Sequence, residues 1–338
     1  MTHLGIDAGG TSTRAVVLGS DGRCLGYGRS GSGNPISAGP AVAAASMRDA
    51  VQQALAAAGL PGSAVGSTSV AMAGGSRVAE DDEVAATLRG ALVSATVPAA
   101  LTVEPDLLAL YFSGTHEASG YALVAGTGAA AVRVVDGEVA ATCDGLGWLL
   151  GDDGSGFWIG REVVRAVSAD LDGRGASTAL TPLLLEAVPR AATSKAEPLA
   201  PGAVQHPALR HLVRELYAVP PVHLARFAPL AFAAVATVDD AVAADIIARA
   251  GLALTNTLAA TLLPDLDGPV VLGGSVLVHQ AAVTHLVRAS LEHAGRSLPI
   301  HVVEDGLVGA AVLALRRSGV AVDATTFATV TESLARLR

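Results

Sequence analysis

Asp7-Ala8-Gly9-Gly10-Thr11-Ser12-Thr13 brings together the residue types that handle phosphate: adjacent glycines, hydroxyls and a carboxylate. Glycine admits backbone conformations that turn successive amides towards an anion. Thr11 and Thr13 add hydroxyl donors, and Asp7 ends an apolar run. A carboxylate there suits Mg2+, a hard cation that keeps its waters and takes oxygen ligands. A second turn of this kind, Gly126-Thr127-Gly128, lies between Leu123-Val124-Ala125 and Ala129-Ala130-Ala131-Val132. Two such turns facing each other across a cleft form a clamp for a nucleoside triphosphate. Gly273-Gly274-Ser275 follows Val270-Val271-Leu272, and a strand running into a helix N-terminus suits a further nucleotide contact.

The single lysine, Lys195, sits in Thr193-Ser194-Lys195-Ala196, and no Gly-Lys-Ser/Thr occurs. That excludes a P-loop NTPase and a protein kinase, both of which place a lysine on the phosphates. ATP must instead be held by backbone amides, hydroxyls and Mg2+.

The elements that position these turns repeat. Leu4–Asp7, Thr13–Leu18 and Cys24–Arg29 read as three strands, with a tight Asp21-Gly22 hairpin turn. Tyr121–Ala125 opens a second unit of the same form, with Asp136-Gly137 as its hairpin turn. In the first unit a Ser30-Gly31-Ser32-Gly33-Asn34-Pro35 loop leads to a helix over 41–58. A strand at 67–71 ends in Ala73-Gly74-Gly75-Ser76-Arg77, and a helix over 80–94 follows. A strand at 101–103 runs to Glu104-Pro105-Asp106, then a helix over 107–112. The middle of the second unit is helical from about 157 to 262, clearest at 156–167 and 241–263. Five prolines make 173–210 an irregular insertion. A helix near 279–294, a strand at 300–303 and helices at 306–317 and 324–337 complete the chain.

Length and composition agree with an α/β protein of two domains: 338 residues, 51% hydrophobic but only 3% aromatic. The expected division is 1–115 and 116–321, with 322–338 returning to the first domain. A net charge of −9 without a basic block argues against nucleic acid. Cys24 and Cys143 form no Cys-x-x-Cys pair and read as small apolar residues of a reducing compartment. The apolar stretch 241–263 carries Asp245, Arg249 and Asn256, so it reads as a buried amphipathic helix rather than a membrane span. A soluble cytoplasmic protein is expected.

In order, the two phosphate turns and Gly273-Gly274 resemble the motifs of the actin / sugar kinase / Hsp70 ATPase superfamily. Ala71-Met72-Ala73-Gly74-Gly75 and Gly306-Leu307-Val308-Gly309-Ala310-Ala311 resemble its two interdomain hinges. Within it the chain is similar to the N-acetylglucosamine kinase branch, grouped with the BadF/BadG/BcrA/BcrD ATPases, through Gly145-Leu146-Gly147-Trp148-Leu149-Leu150-Gly151-Asp152-Asp153-Gly154-Ser155. The resemblance spans roughly 3–318 and is poor over 173–230.

That resemblance implies two actin-like (ribonuclease H-like) domains around a nucleotide and sugar cleft. It implies an ATP-dependent, Mg2+-dependent kinase acting on the 6-hydroxyl of glucosamine or N-acetylglucosamine, in a homodimer. The alternatives are an ATPase activator or a sugar-sensing regulator on the same fold. Asp106 matches the catalytic base, and a carboxylate at a cleft can accept the proton of an attacking hydroxyl; the same residue would also serve as a helix N-cap. Asn34 and Asp152 match sugar-binding residues, and Gly126 matches at the sugar side of its turn. The chain departs from the pattern at Glu104-Pro105-Asp106, where Asn or Thr is usual before the Asp. Glu104 is expected to raise the pKa of Asp106 and to attract a cationic substrate. Leu146 replaces a Trp, and Ala129 replaces a Ser after the second turn.

Overall fold

A computed structural model describes residues 1–72, 82–95, 97, 101–188 and 206–338. The segment Ala73-Gly74-Gly75-Ser76-Arg77, Lys195 and Pro189, Pro198 and Pro201 lie outside the described residues. The first five strands are β1 (Thr2–Ala8), β2 (Thr13–Gly19), β3 (Cys24–Ser30), β4 (Val65–Met72) and β5 (Leu101–Pro105). The second five are β6 (Gly120–Ala125), β7 (Ala129–Val135), β8 (Glu138–Asp144), β9 (Val270–Gly273) and β10 (Ile300–Val303). Helices of the first unit are α1 (Pro35–Ala38), α2 (Pro40–Ala58), α3 (Asp82–Ser94) and α4 (Asp106–Gly114). In the second they are α5 (Gly156–Leu171), α6 (Leu180–Ala187), α7 (Pro207–Tyr217), α8 (Ala228–Val238), α9 (Ala241–Ala259), α10 (Ser275–His279), α11 (Ala281–His293), α12 (Leu307–Arg317) and α13 (Ala324–Ala335).

The repeat is one of topology. The first sheet runs β3-β2-β1-β4-β5 and the second β8-β7-β6-β9-β10. In each, three strands are parallel and a meander of two antiparallel strands is added at one side. The central strands read as unbroken apolar runs because both faces are covered. On one face of the first sheet Leu4, Ile6 and Val17 pack with Met47, Val51 and Leu92 of α2 and α3. On one face of the second, Leu123 and Leu272 pack with Ile159, Val163, Leu254 and Val287. Pro221–Val238 and Ala241–Ala259 are long and apolar enough to cross a membrane by length and composition. In the fold they lend Phe227, Ala231, Ile246 and Leu254 to this core.

A third core lies between the two sheets and holds residues of both units, among them Leu18, Phe112, Val132, Val271 and Val312. Here the terminal helices exchange partners. α4 follows β5 yet reaches β6, β9 and β10, while α12 follows β10 yet lies on β1 and β4. Close approach requires glycine at two points. A Cβ on Gly309 would stand 1.7 Å from the Ala109 carbonyl oxygen, and one on Gly5 2.7 Å from the Ala311 nitrogen. α13 lies against β3, where the Cys24 amide donates to Ser333 Oγ at 2.9 Å.

Two expectations need correction. The stretch 173–210 contains a regular helix, α6, and the start of α7. Pro182 sits in the first turn of α6 and Pro207 opens α7, positions where a missing N–H costs nothing. The two Asp-Gly turns also differ. Asp136 and Gly137 both have positive φ, as a two-residue hairpin needs, whereas in the first hairpin only Gly22 does. The Gly22 amide donates to Gly19 at 2.9 Å, so that turn is centred on Ser20-Asp21.

Candidate active site

Four of the sequence-derived candidates lie at, or just beyond, the carboxyl ends of the parallel strands: Asp7 on β1, Asp106 after β5, Gly126 after β6 and Gly274 after β9. Parallel α/β sheets bind ligands there, because the loops leave the sheet and helix N-termini converge.

Around β1, Asp7 is 8% exposed and faces Arg14 across the hairpin, with Arg14 Nη1 3.3 Å from its Oδ2. The Gly306 amide donates to the same oxygen at 3.3 Å. Arg14 also lies 3.6 Å from Asp305, whose other oxygen is 2.8 Å from Arg338. Burial, then the charge of Asp305, push the Asp7 pKa up to about 6, with a further contribution from Asp106; Arg14 and the Gly306 amide oppose this. Three carboxylates against two guanidiniums leave the pocket short of positive charge. That imbalance fits a hydrated divalent cation held through one or two carboxylates. Among the described residues there is no group of three or more His, Cys, Asp or Glu that could hold a metal ion, so a cation here would be held mainly through its waters.

The first turn closes by Gly9 N–H to Ser12 C=O at 3.0 Å, and Gly33 N–H donates to Gly9 C=O at 3.0 Å. The second bond docks the Asn34 loop onto the turn; Asn34 is half-buried and its carbonyl accepts from Ala38. Gly10 and Thr11 are exposed. Asp106 is half-buried at the first position of α4, so the N-cap place belongs to Pro105. Burial raises its pKa, while the amides of Leu107 and Asp106 itself pull it down.

The second turn is braced differently. Gly156 N–H donates to Gly126 C=O at 2.7 Å, and Phe157 N–H to Thr127 C=O at 3.1 Å. In a trans peptide the carbonyl and the following N–H point oppositely. With both carbonyls seated on α5, the amides of Thr127 and Gly128 point away from it, ready for an anion. Asp152 Oδ1 accepts from Ala129 N–H at 3.0 Å. Burial raises the Asp152 pKa, the Ala129 amide lowers it, and Asp144 and Asp153 raise it. Gly274 closes the group: a Cβ there would stand 2.5 Å from Ala125 carbonyl atoms, and its φ is +85°. Gly273 ends β9, and Ser275 starts only a five-residue helix, α10, which carries little dipole.

Two of the candidates already have partners in the fold. Glu104 is 2% exposed and gripped by Arg317, Nε to Oε1 at 2.7 Å and Nη2 to Oε2 at 3.0 Å. Both Glu104 oxygens are thus taken up by the guanidinium, which is shared with Glu138. Thr13 is fully buried, and its hydroxyl donates to Gly31 C=O at 2.9 Å, so it serves the loop rather than a phosphate.

Arg14, Asp305 and Asp144 were not singled out by the sequence reading. Arg14 was findable, since the hairpin register sets it opposite Asp7. Asp144 accepts from the amides of Asp152 and Asp153 at 2.8 and 3.1 Å, and nothing in the local sequence marks it.

Comparison with known proteins adds four findings. The model of the BadF/BadG/BcrA/BcrD ATPase family matches residues 4–314. Over 197 residues the chain is 30% identical to an N-acetyl-D-glucosamine kinase of Dictyostelium discoideum, taking in 54% of this chain and 59% of that protein, so less than two thirds of the relative is spanned. A candidate N-acetylglucosamine kinase of Chromobacterium violaceum superimposes with TM-score 0.68 at 24% identity, over 93% of this chain and 98% of that one. A ROK hexokinase of Thermus thermophilus does so with TM-score 0.51 at 21% identity, over 94% and 100%. At these identities the two structures speak for the two-domain actin-like sugar-kinase fold.

Proposed function

The chain belongs to the BadF/BadG/BcrA/BcrD ATPase family, and from that premise we propose that it transfers the γ-phosphoryl group of ATP to the 6-hydroxyl of an amino sugar, with N-acetylglucosamine the preferred acceptor. Asp106 carries the reading: a half-buried carboxylate with a raised pKa, at a strand end beside Asp7 and the first phosphate turn. In the proposed step Asp106 takes the proton from the sugar 6-hydroxyl. The 6-oxygen forms a bond to the γ-phosphorus, the bond from that phosphorus to the β–γ bridging oxygen breaks, and ADP leaves. Asn34 and Asp152 hold the sugar hydroxyls, Asp152 with acceptor capacity left beside its bond to Ala129. The amides of Gly10, Thr127 and Gly128, with the hydroxyls of Thr11 and Thr127, receive the phosphates, Gly9 shapes the first turn through its bond to Ser12, and Gly273–Ser275 borders the nucleoside. Mg2+ bound at Asp7 would offset phosphate charge.

The acetylated sugar is preferred over free glucosamine because Glu104, the carboxylate singled out for an ammonium, is held by Arg317. The named activity of the Dictyostelium relative points the same way. An activator that bridges a cluster through cysteines is disfavoured: Cys24 is buried, its Sγ donates to Val330 C=O, and burial pushes its pKa up to about 11. The units 1–115 and 116–321 act as lobes that exclude water on closing.

The test is ADP release with Mg-ATP and a panel of N-acetylglucosamine, glucosamine, N-acetylmannosamine, glucose and 6-deoxy-N-acetylglucosamine. The expected result is turnover with N-acetylglucosamine and none with its 6-deoxy analogue. Turnover of the 6-deoxy sugar would refute the assigned hydroxyl, and ATP binding without turnover of any sugar would refute the kinase.

A further inference from the structure

Arg317, the last residue of α12, stands where the two sheets meet. Besides its two bonds to Glu104, it donates through Nη1 and Nη2 to Glu138, Nη2 at 3.1 Å. Glu104 belongs to β5 of the first sheet and Glu138 opens β8 of the second. A guanidinium meets a carboxylate as a planar fork, which sets direction as well as distance. Both carboxylates push the Arg317 pKa up.

The two arms are unequal. Glu104 has lost nearly all contact with water, whereas the Glu138 side chain is 61% exposed. A buried charge depends on its partner; an exposed pair is screened and weak. Only Pro105 separates Glu104 from Asp106, and its φ of −60° is held by the ring. Fixing the Glu104 carboxylate therefore leaves the backbone under Asp106 little freedom.

We infer that Arg317 is a positioning residue for Asp106. Its fork on Glu104 sets the β5–α4 junction so that the Asp106 carboxylate meets the acceptor hydroxyl, and its arm to Glu138 ties that junction to the second sheet. The inference rests on the phosphotransfer reading above. Glu104 thus acts through its partner, which explains an acidic residue two positions before the base without a cationic substrate.

The test is steady-state kinetics of full-length Arg317→Met, Arg317→Lys, Glu104→Gln, Glu138→Gln and the double variant Arg317→Met/Glu104→Gln, with thermal unfolding measured alongside. A displacement near 1 Å at a reacting group costs on the order of 10²-fold, so Arg317→Met is expected to lose about that in kcat. Its KM for the sugar should stay within about threefold, because binding contacts remain. Arg317→Lys recovers part of the loss, since an ammonium makes no fork. The double variant regains stability, because no charge is left buried and unpaired, but keeps the kcat loss, because the fork is absent there too; recovery of its kcat would overturn the positioning role. Glu138→Gln stays within about twofold of the parent. An unchanged kcat in Arg317→Met, a loss that appears in KM, or a loss that only follows the folded fraction would each overturn the role of Arg317. A parent protein without sugar-dependent turnover would overturn the phosphotransfer reading and the inference together.

Discussion

Asp7 lies opposite Arg14 in the first hairpin; at the matching positions of the second, Val124 lies opposite Ala130. The strands, their order and the glycine turns are alike, yet the first hairpin pairs a carboxylate with a guanidinium beside its turn where the second sets two apolar residues. The first turn carries the carboxylates and guanidiniums and is held by its own backbone and the Asn34 loop. The second offers neutral amides, aimed by carbonyls seated on α5. A duplicated scaffold can therefore divide its labour. On the proposed reading, charge is concentrated where a cation and a proton would be managed, and the partner turn contributes dipoles that need no counter-ion in a low-dielectric cleft.

The sharpest way to break this comparison is Asp106→Asn. General-base catalysis supplies about 10²–10⁴-fold, and sugar-dependent ADP release should fall by that much with ATP binding retained. The corresponding carboxylate after β10, Asp305, is paired with Arg338 and Arg14; Asp305→Asn should cost less than about tenfold. Equal losses at the two positions would erase the asymmetry.

Next in size is the pH dependence of stability without nucleotide or divalent cation. The Asp7 pKa rises on folding from 3.8 to about 6, so the folded state holds more protons between those values. Stability then falls as pH rises through that window, and ionised Asp7 costs on the order of 3 kcal/mol above it. Asp7→Asn should be more stable than the parent at pH 7 and lose that advantage below about pH 4. Denaturant unfolding at both pH values reads it, and a constant difference would show that Asp7 is not strained by its charge.

Glycine substitutions probe the two braces. A methyl at Gly156 would press on the Gly126 carbonyl at 2.9 Å, whereas nothing stands within 4 Å of one at Gly10. Gly156→Ala should lose about 1–3 kcal/mol and raise the KM for ATP; Gly10→Ala should change stability by no more than about 0.5 kcal/mol. Equal stabilities would mean the seating on α5 does not hold the second turn. The smallest effects separate two threonines. Thr13→Val should cost about 1 kcal/mol through its buried bond to Gly31, with KM unchanged. Thr127→Val, exposed, should leave stability alone and raise the KM for ATP. A reversal would return Thr13 to the phosphate site.

Much of the fold was legible because its signals are local. Apolar runs broken by Gly-Thr turns marked both hairpins, and the chain-order repeat predicted twin sheets. The first hairpin's turn was read two residues too tight, since Asp-Gly alone does not say which residue takes positive φ. Helix α6 was hidden by Pro182, which sits harmlessly in its first turn. At the site, Gly9, Gly126 and Asp106 were visible from residue type and strand position. What the sequence could not show for Glu104 is its partner, 213 residues away.

By itself the sequence determined what neighbours along the chain decide: where strands end, where glycine frees the backbone, which carboxylates stand at strand ends, and that no lysine serves a phosphate loop. Tertiary structure alone decided which of those groups are spent. Arg317 neutralises Glu104, Gly31 takes the Thr13 hydroxyl, Asp305 and Arg14 bracket Asp7, and Asp144 holds the backbone of Asp152. The physical reason is that a polar group's role depends on whether burial has already given it a partner, and the partners come from elements far apart in sequence.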